Sequence, residues 1–189
     1  LLQRGLVASR SAAARAIAAG DLRVRGPAGW QPLRRAGADV PEQAEIELAP
    51  GVELRWASRA GAKLDGSLDR IGLDVTGAVC LDVGQSTGGF TDVLLARGAA
   101  RVVGVDVGHG QLVERLRDDP RVTCVEGVNA RTLDGAALPV ARYDLVVADL
   151  SFISLGLVLP ALAPLAARDL LLLVKPQFEL SPAEIGKGG

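Results

Sequence analysis

The feature that most constrains the fold is a series of short apolar runs that alternate with helical segments from Ser58 onwards. We predict strands at 78–83, 101–105, 122–125, 144–148 and 170–174, with helices at 60–71, 88–97, 110–118 and 154–166. Near-continuous apolar strands separated by helices indicate a parallel sheet that is covered on both faces. Ligands of such sheets bind at the carboxyl ends of the strands, so the strand ends are the places to search for a site.

The first 48 residues have a different pattern. We predict a short helical stretch with an apolar face at 1–7, a helix at 9–20 and strands at 22–24 and 45–48, with a turn at 26–29. Pro50 and Gly51 then interrupt the chain. We therefore expect a small α+β domain at 1–48, an interdomain linker at 49–57 and a larger α/β domain at 58–189.

Positive charge is concentrated near the start of the chain. Residues 1–35 carry seven arginines and one acidic residue, Asp21, a balance of +6, although the whole chain has a net charge of −1. Clustered cations are typical of a surface that binds nucleic acid, because phosphates release counterions when they are neutralised. A solvated helix face with chance arginine enrichment is the alternative. The candidate nucleic-acid-binding residues are Arg4, Arg10, Arg15, Arg23 and Arg25.

The cellular setting follows from what the sequence lacks. It contains no run of 18 or more uncharged apolar residues and no recognisable secretory signal. Cys80 and Cys124 both lie inside apolar runs. We therefore expect a cytoplasmic protein with no membrane span, whose cysteines belong to the core rather than to a disulfide or a metal site. The absence of an initial Met and the ending EIGKGG lead us to expect a chain clipped at both ends.

A glycine-rich turn follows the first strand of the larger domain, in the segment LDVGQSTGGFTDVLL at 81–95. The turn lacks the GxGxxG spacing that holds a pyrophosphate and the Lys-Ser or Lys-Thr pair of a Walker loop. Asp82 would repel a diphosphate but suits a cationic amino-acid group, and Asp106 ends the next strand where a carboxylate accepts hydrogen bonds from a ribose. This pattern favours S-adenosylmethionine over NAD, with a purely structural turn as the alternative.

Charged residues also end two later strands. Asp149 follows the fourth strand in ADLSFISL, and Lys175 follows the fifth in LVKPQFEL. With Lys63 from SRAGAKL, they form a candidate catalytic cluster. A carboxylate between two ammonium groups is expected to leave one lysine as a neutral amine that can deprotonate a hydroxyl. Alternatively, Asp149 and Lys175 are solvated charges that simply end their strands.

The combination of SRAGAKL, LDVGQSTGGFTDVLLARGAARVVGVDVGHGQL, DLVVADLSFISL and VKPQFE resembles the hemolysin-A type (TlyA) ribosomal RNA methyltransferases, relatives of the FtsJ 2'-O-methyltransferases. The resemblance covers nearly the whole chain, and the first 48 residues resemble an S4-type RNA-binding domain. It implies a Rossmann-like methyltransferase sheet that uses S-adenosylmethionine, with ribosomal RNA or ribosomal subunits as partners. No metal is implied.

The resemblance also implies roles for particular residues. Lys63, Asp149 and Lys175 match three members of the family's Lys-Asp-Lys-Glu set, with Lys175 as the base acting on a ribose 2'-hydroxyl. The reaction implied is in-line methyl transfer, helped mainly by positioning. The implied residues of the cofactor site are Asp82, Gly84, Ser86, Thr87, Gly88, Gly89, Asp106, Asn129 and Asp149.

The chain departs from the family pattern in several places. The fourth catalytic residue, a Glu, and the sixth and seventh strands have no counterpart before Gly189, so we expect a truncated sheet, weak cofactor binding and poor turnover. Gln85 replaces a small residue, His109 an aromatic one, and Gly127 stands in place of an Arg. We expect Gln85 and His109 to reshape the cofactor pocket, with His109 in the pocket wall or facing solvent rather than acting in catalysis.

Three other functions remain open from the sequence. The chain could hold RNA without turnover, through a degenerate methyltransferase domain. It could be membrane-active, as the hemolysin name suggests, although no strongly amphipathic basic helix supports this. A dehydrogenase is disfavoured because the pyrophosphate glycines are absent.

Overall fold

A computed structural model describes residues 10–27, 29–35, 37–41, 43–48 and 56–181. The chain divides into two compact units, Leu1–Arg55 and Trp56–Gly189. The helical stretch predicted at 1–7 and the linker residues 49–55 lie outside the described residues.

The first unit contains one described helix and a three-stranded antiparallel sheet. Helix α1 spans Arg10–Ala19 and is followed by strands β1 (Leu22–Gly26), β2 (Gly29–Pro32) and β3 (Ile46–Leu48), in the order β2-β1-β3. A small core forms around Ile17, Leu22 and Leu33. Strand β2 was not predicted because its sequence GWQP lacks apolar alternation, and its Pro32 is tolerated because β2 is an edge strand.

The second unit is built on a five-stranded sheet in which every pairing is parallel. Its strands are β4 (Val79–Val83), β5 (Arg101–Asp106), β6 (Val122–Glu126), β7 (Tyr143–Ala148) and β8 (Ala166–Leu172), in the order β6-β5-β4-β7-β8. The predicted Rossmann-like α/β sheet is confirmed. The chain winds from β4 to one edge and then returns to its other side with β7, so the carboxyl end of β4 lies at the switch point where ligands bind.

Five α-helices accompany this sheet in the described part of the unit: α2 (Ala60–Ile71), α3 (Gly89–Ala96), α4 (Glu114–Arg117), α5 (Leu155–Leu162) and α6 (Pro176–Glu179). Single turns of 3-10 helix span Ala130–Thr132, Gly135–Ala137 and Ala163–Leu165.

Several predicted boundaries were wrong. A helix at 110–118 shrinks to the four residues of α4, because Gly110 adopts a left-handed conformation and residues 107–110 form bends. The last strand begins at Ala166 instead of 170, since α5 ends at Leu162 and the 3-10 turn that contains Pro164 ends at Leu165. Helix α6, which follows β8, was not predicted.

Alternate residues of the strands enter separate apolar clusters on the two faces of the sheet. Cys80, Val102 and Leu145 pack with α2 and α3, whereas their neighbours Leu81 and Val103 pack with α5. This period of two is the expected consequence of the pleat. Cys80 is buried, Cys124 is half-buried and both are free thiols, so the predicted core placement holds for Cys80 and in part for Cys124.

Helices α2 and α3 meet at two glycines. A Cβ atom at Gly61 would lie 2.5 Å from Trp56 Cβ and 2.8 Å from the carbonyl oxygen of Gly89. A Cβ atom at Gly89 would overlap the Ser58 hydroxyl. The glycines therefore allow the backbone of α2 to approach the first residue of α3, directly beside the loop that follows β4.

Candidate active site

The loop from β4 to α3 is fixed mainly through its backbone. The amides of Gly84 and Gln85 both donate to the carbonyl oxygen of Val105, at 2.9 and 3.1 Å. Gly88 has a φ of +95° as the N-cap of α3, and a Cβ atom there would lie 2.5 Å from Leu116. The predicted loop residues Thr87, Gly88 and Gly89 are buried, so this turn is part of the packed structure of the domain.

A buried polar network lies under the loop. Asp82 is 1% exposed, and its Oδ2 accepts hydrogen bonds from the Thr91 amide at 2.9 Å and the Thr91 hydroxyl at 2.7 Å. Burial raises the pKa of Asp82 to about 7, and the two hydrogen bonds from Thr91 oppose that increase. Because Thr91 lies in the first turn of α3, the carboxylate ties the end of β4 to the start of the helix.

Gln85 belongs to the same network. Its Nε2 donates to Thr91 Oγ1 at 2.9 Å, and the residue is only 3% exposed. The side chain lies against Gly104 of β5, where any Cβ atom would overlap its amide group. Gln85 is thus accommodated inside the domain by Gly104, and its side chain does not line the exposed face of the loop.

Asp106 joins two loops at the ends of β4 and β5. Its Oδ2 accepts from the Ser86 amide at 2.8 Å, and its Oδ1 accepts from the Gly108 amide at 2.7 Å. Ser86 reaches this position with a φ of +49°. A carboxylate has about four lone-pair sites, so Asp106 keeps acceptor capacity beyond these two bonds. It can hold the loops in place and also receive hydroxyl donors.

The residues that follow β5 and β6 form the adjoining surface. Asn129 is exposed, and its side-chain oxygen accepts from the Arg131 amide at 3.0 Å, which caps a 3-10 turn. His109 is exposed and its ring lies beside Gly127, where a Cβ atom would be 3.1 Å from Nε2. Val107 is 69% exposed directly after Asp106, an apolar position that the sequence reasoning missed.

The three predicted catalytic residues lie together at the end of β7. Asp149 contacts Lys63 Nζ through Oδ2 at 3.3 Å and Lys175 Nζ through Oδ1 at 2.5 Å. Lys175 also donates to the Ser151 hydroxyl at 2.8 Å. The whole chain contains only three lysines, and two of them meet at this one carboxylate. The main-chain oxygen of Asp149 would be 3.0 Å from a Cβ atom at Gly84, so the cluster adjoins the glycine loop.

Burial differs among these three side chains. Asp149 and Lys175 are 13% and 17% exposed, whereas Lys63 is 50% exposed. The contact between Lys63 and Asp149 is therefore screened by solvent, and the contact with Lys175 is the stronger one. The carboxylate stabilises the positive charge of both lysines. The two lysines therefore share the charge of one carboxylate.

Two of the predicted RNA-binding arginines lie on β1 in the first unit. The guanidinium groups of Arg23 and Arg25 each lie 5.8 Å from the centre of the Trp30 ring. They also pair with Glu47 and Glu45, at 3.6 and 3.2 Å, so part of the local positive charge is balanced. Their contact with RNA stays a prediction. The side chains of Arg4, Arg10 and Arg15 are not among those that the structure describes.

Comparison with known proteins identifies the family. The FtsJ-like methyltransferase model matches residues 56–189. The 16S/23S rRNA (cytidine-2'-O)-methyltransferase TlyA of Mycobacterium tuberculosis is 49% identical over all of this chain and 69% of its own length. Hemolysin A of Brachyspira hyodysenteriae is 36% identical over 98% of this chain and 75% of its own length.

A solved structure described as a hemolysin of Streptococcus thermophilus has a TM-score of 0.74 and 38% identity, over 98% of this chain and 67% of that one. The S4-type character of the first 48 residues is not tested by these matches and stays a prediction. The matched domain, the full-length similarity and the parallel sheet agree with one another: this chain belongs to the FtsJ-like methyltransferases, in the TlyA group of ribosomal RNA methyltransferases.

Proposed function

We propose that this protein transfers a methyl group from S-adenosylmethionine to a ribose 2'-hydroxyl of ribosomal RNA. The observation that carries the proposal is the pair of lysines on Asp149, beside the glycine loop at the switch point of the sheet. The Mycobacterium tuberculosis relative is named for this chemistry on cytidine in 16S and 23S rRNA. Such a substrate would place the protein in the cytoplasm, as the sequence led us to expect.

The described residues fit the proposed cofactor. Asp106 has acceptor capacity left for ribose hydroxyls, and the exposed apolar side chain of Val107 offers a surface for a planar base. Asn129 has its amide nitrogen available beside them, since only its oxygen is used to cap the turn. Asp149 supplies negative charge near the loop, which suits a cationic ligand. When bound, S-adenosylmethionine supplies a methyl group on a positively charged sulfur.

Lys175 is the residue that we propose to accept the proton of the 2'-hydroxyl. It is the more buried of the two lysines, and its amine is held by Asp149 and Ser151. Once it carries the proton, the Asp149 carboxylate stabilises the resulting ammonium group at short range. The half-exposed Lys63 contacts the other oxygen of Asp149 and competes for its charge, which weakens the hold of the carboxylate on Lys175.

The first unit is the proposed RNA-binding part of the chain. Its arginines give positive charge, and Trp30 lies beside two of them on the surface of the sheet. Phosphate neutralisation predicts that RNA affinity falls steeply as salt is raised.

The direct test is transfer of labelled methyl groups from S-adenosylmethionine to purified 30S and 50S subunits, followed by mapping of nucleotides that resist alkaline cleavage. We expect label at 2'-oxygens. Cofactor binding without transfer would favour the alternative of RNA binding by a degenerate domain. No cofactor binding, measured by calorimetry, would contradict the proposal.

The membrane-active alternative gains no support from the fold. Among the described residues, no helix is long and apolar enough to cross a membrane. Leakage of dye from liposomes on addition of the purified protein would be needed to revive it.

A further inference from the structure

The turn that carries Lys175 contacts the loop after β7 at three successive points. Lys175 donates to Ser151, the Phe178 ring lies 5.4 Å from that of Phe152, and Glu179 accepts a hydrogen bond from the Ser154 hydroxyl at 2.7 Å. The turn itself consists of Lys175 and the four residues of α6, none of which is buried. Because the turn has no anchor of its own in the core, these contacts determine where it lies.

Glu179 makes two hydrogen bonds to the loop after β7 and the start of α5. Its Oε1 accepts from the Leu155 amide and its Oε2 from the Ser154 hydroxyl, both at 2.7 Å. The amide at Leu155, the first residue of α5, has no partner inside the helix, so the carboxylate satisfies an otherwise free donor. The hydrogen bonds from the Leu155 amide and from the Ser154 hydroxyl lower the pKa of Glu179, which keeps the carboxylate charged beside the positive end of the helix.

Helix α5 does not need Glu179 in order to begin. Ser154 is already its N-cap, with its hydroxyl oxygen accepting from the Gly156 amide at 3.1 Å. The additional carboxylate therefore does something other than start the helix: it joins the turn of Lys175 to the rigid end of α5. Pro176 transmits this constraint, because its ring fixes φ and restricts Lys175 to the extended conformation that is observed.

We propose that Glu179 is a positioning residue for Lys175. Its carboxylate clamps the turn 175–179 onto the start of α5, so that the Lys175 amine is held against Asp149 and Ser151. This inference rests on the proposed function, in which Lys175 accepts the proton. Without the clamp, the long lysine side chain and its turn sample other positions, and the fraction of molecules ready for proton transfer falls.

The test uses the full protein with Glu179→Ala and Glu179→Gln. We expect kcat to fall about tenfold in Glu179→Ala, with KM for RNA and Kd for S-adenosylmethionine unchanged. Glu179→Gln keeps an oxygen that can accept from the Leu155 amide, so it should restore most of the loss. Glu114→Ala, which removes an exposed glutamate on α4, is the matched control and should equal wild type.

A second readout does not depend on activity. The rates of acetylation of Lys175 and Lys63 by an amine-reactive ester are compared by peptide mass spectrometry. We expect Lys175 to react several-fold faster in Glu179→Ala and Lys63 to react at the wild-type rate. Unchanged labelling of Lys175, equal acceleration of both lysines, or a wild-type kcat would overturn the inference. If the wild-type protein transfers no methyl group, the proposed function is overturned instead. The labelling rates would still test whether Glu179 holds Lys175 in place.

Discussion

The two halves of the site, on either side of β4, are built in different ways. Towards β5, the loop is held by backbone amides, glycines and a network in which the side chains of Asp82 and Gln85 are almost fully enclosed. Towards β7 and β8, the arrangement depends on charged side chains, of which Asp149 and Lys175 are largely buried and Lys63 and Glu179 are exposed. We call these the cofactor half and the lysine half.

The difference predicts how each half responds to change. Substitutions in the cofactor half disturb the core, so they should lower stability and cofactor affinity together. Substitutions in the lysine half remove charge contacts from surface turns, so they should change the rate and leave the fold intact.

The largest expected effect is that of Lys175→Ala on methyl transfer. Removal of a general base typically costs about 10²- to 10⁴-fold, and we expect a loss of about 10³-fold in kcat. Lys175→Arg should be equally inactive, because a guanidinium group does not lose its proton in proteins. Cofactor affinity measured by calorimetry should stay within about twofold of wild type, because Lys175 is not part of the cofactor half. A large loss of affinity would break the separation of the two halves.

The next largest effect is the pH dependence that Asp82 gives to stability. Its pKa is 3.8 in the absence of structure and about 7 in the folded protein. The buried carboxyl group therefore binds a proton more tightly in the folded state. This stabilisation is complete below pH 3.8, declines as the pH rises, and is lost above about 7.

Urea unfolding of wild type and Asp82→Asn at pH 5 and pH 8 checks this expectation. Between these values the wild type should lose on the order of 3 kcal/mol relative to the variant, whose amide does not titrate. Parallel behaviour of the two proteins would show that the network under the loop is more hydrated than its burial indicates.

Gly104→Ala tests the packing of the cofactor half. The added Cβ atom overlaps the Gln85 amide, so we expect the free energy of unfolding to fall by about 2 kcal/mol. The double variant with Gln85→Ala removes the overlap and should recover part of that loss. If Gly104→Ala alone is as stable as wild type in thermal and urea unfolding, the Gln85 side chain can move away from the added Cβ atom without loss of stability.

Asp106→Asn should give the smallest effect. One of the two amides now held by the carboxylate would face an NH₂ group, and the capacity to accept ribose hydroxyls would be reduced. We expect Kd for S-adenosylmethionine to rise about tenfold, equivalent to about 1.4 kcal/mol. A change in kcat at saturating cofactor, with Kd unaltered, would show that Asp106 does not belong to the cofactor half.

Much of this organisation was predictable from the sequence. Apolar runs with helices between them predicted the parallel sheet, and the rule that ligands bind at strand ends led to Asp106, Asp149 and Lys175. The sheet prediction was confirmed because strands depend on local patterns, whereas the roles of these three residues stay predictions. Strand β2 and the shortened α4 were missed because glycine and proline obscure or override periodicity.

The contacts that set the geometry of the site were not predictable in the same way. The sequence assigned no role to Glu179, because nothing local shows that it reaches the start of α5. Gln85 looked like an obstruction in the cofactor pocket, because the space that receives it is made by Gly104 on another strand. Both depend on pairs of residues that lie about 20 positions apart and meet only in the folded chain.

The crossing of α2 and α3 at Gly61 and Gly89 has a consequence for mutational scanning. Lys63 lies only two residues beyond Gly61, so any side chain that separates the helices also moves that lysine relative to the loop. In a scan scored by methyl transfer, the two glycines should therefore tolerate as few replacements as the lysines do. Loss of activity on substitution of these glycines would reflect the spacing between the two helices and not a chemical role. If activity alone were used to find catalytic groups, the glycines would be mistaken for them.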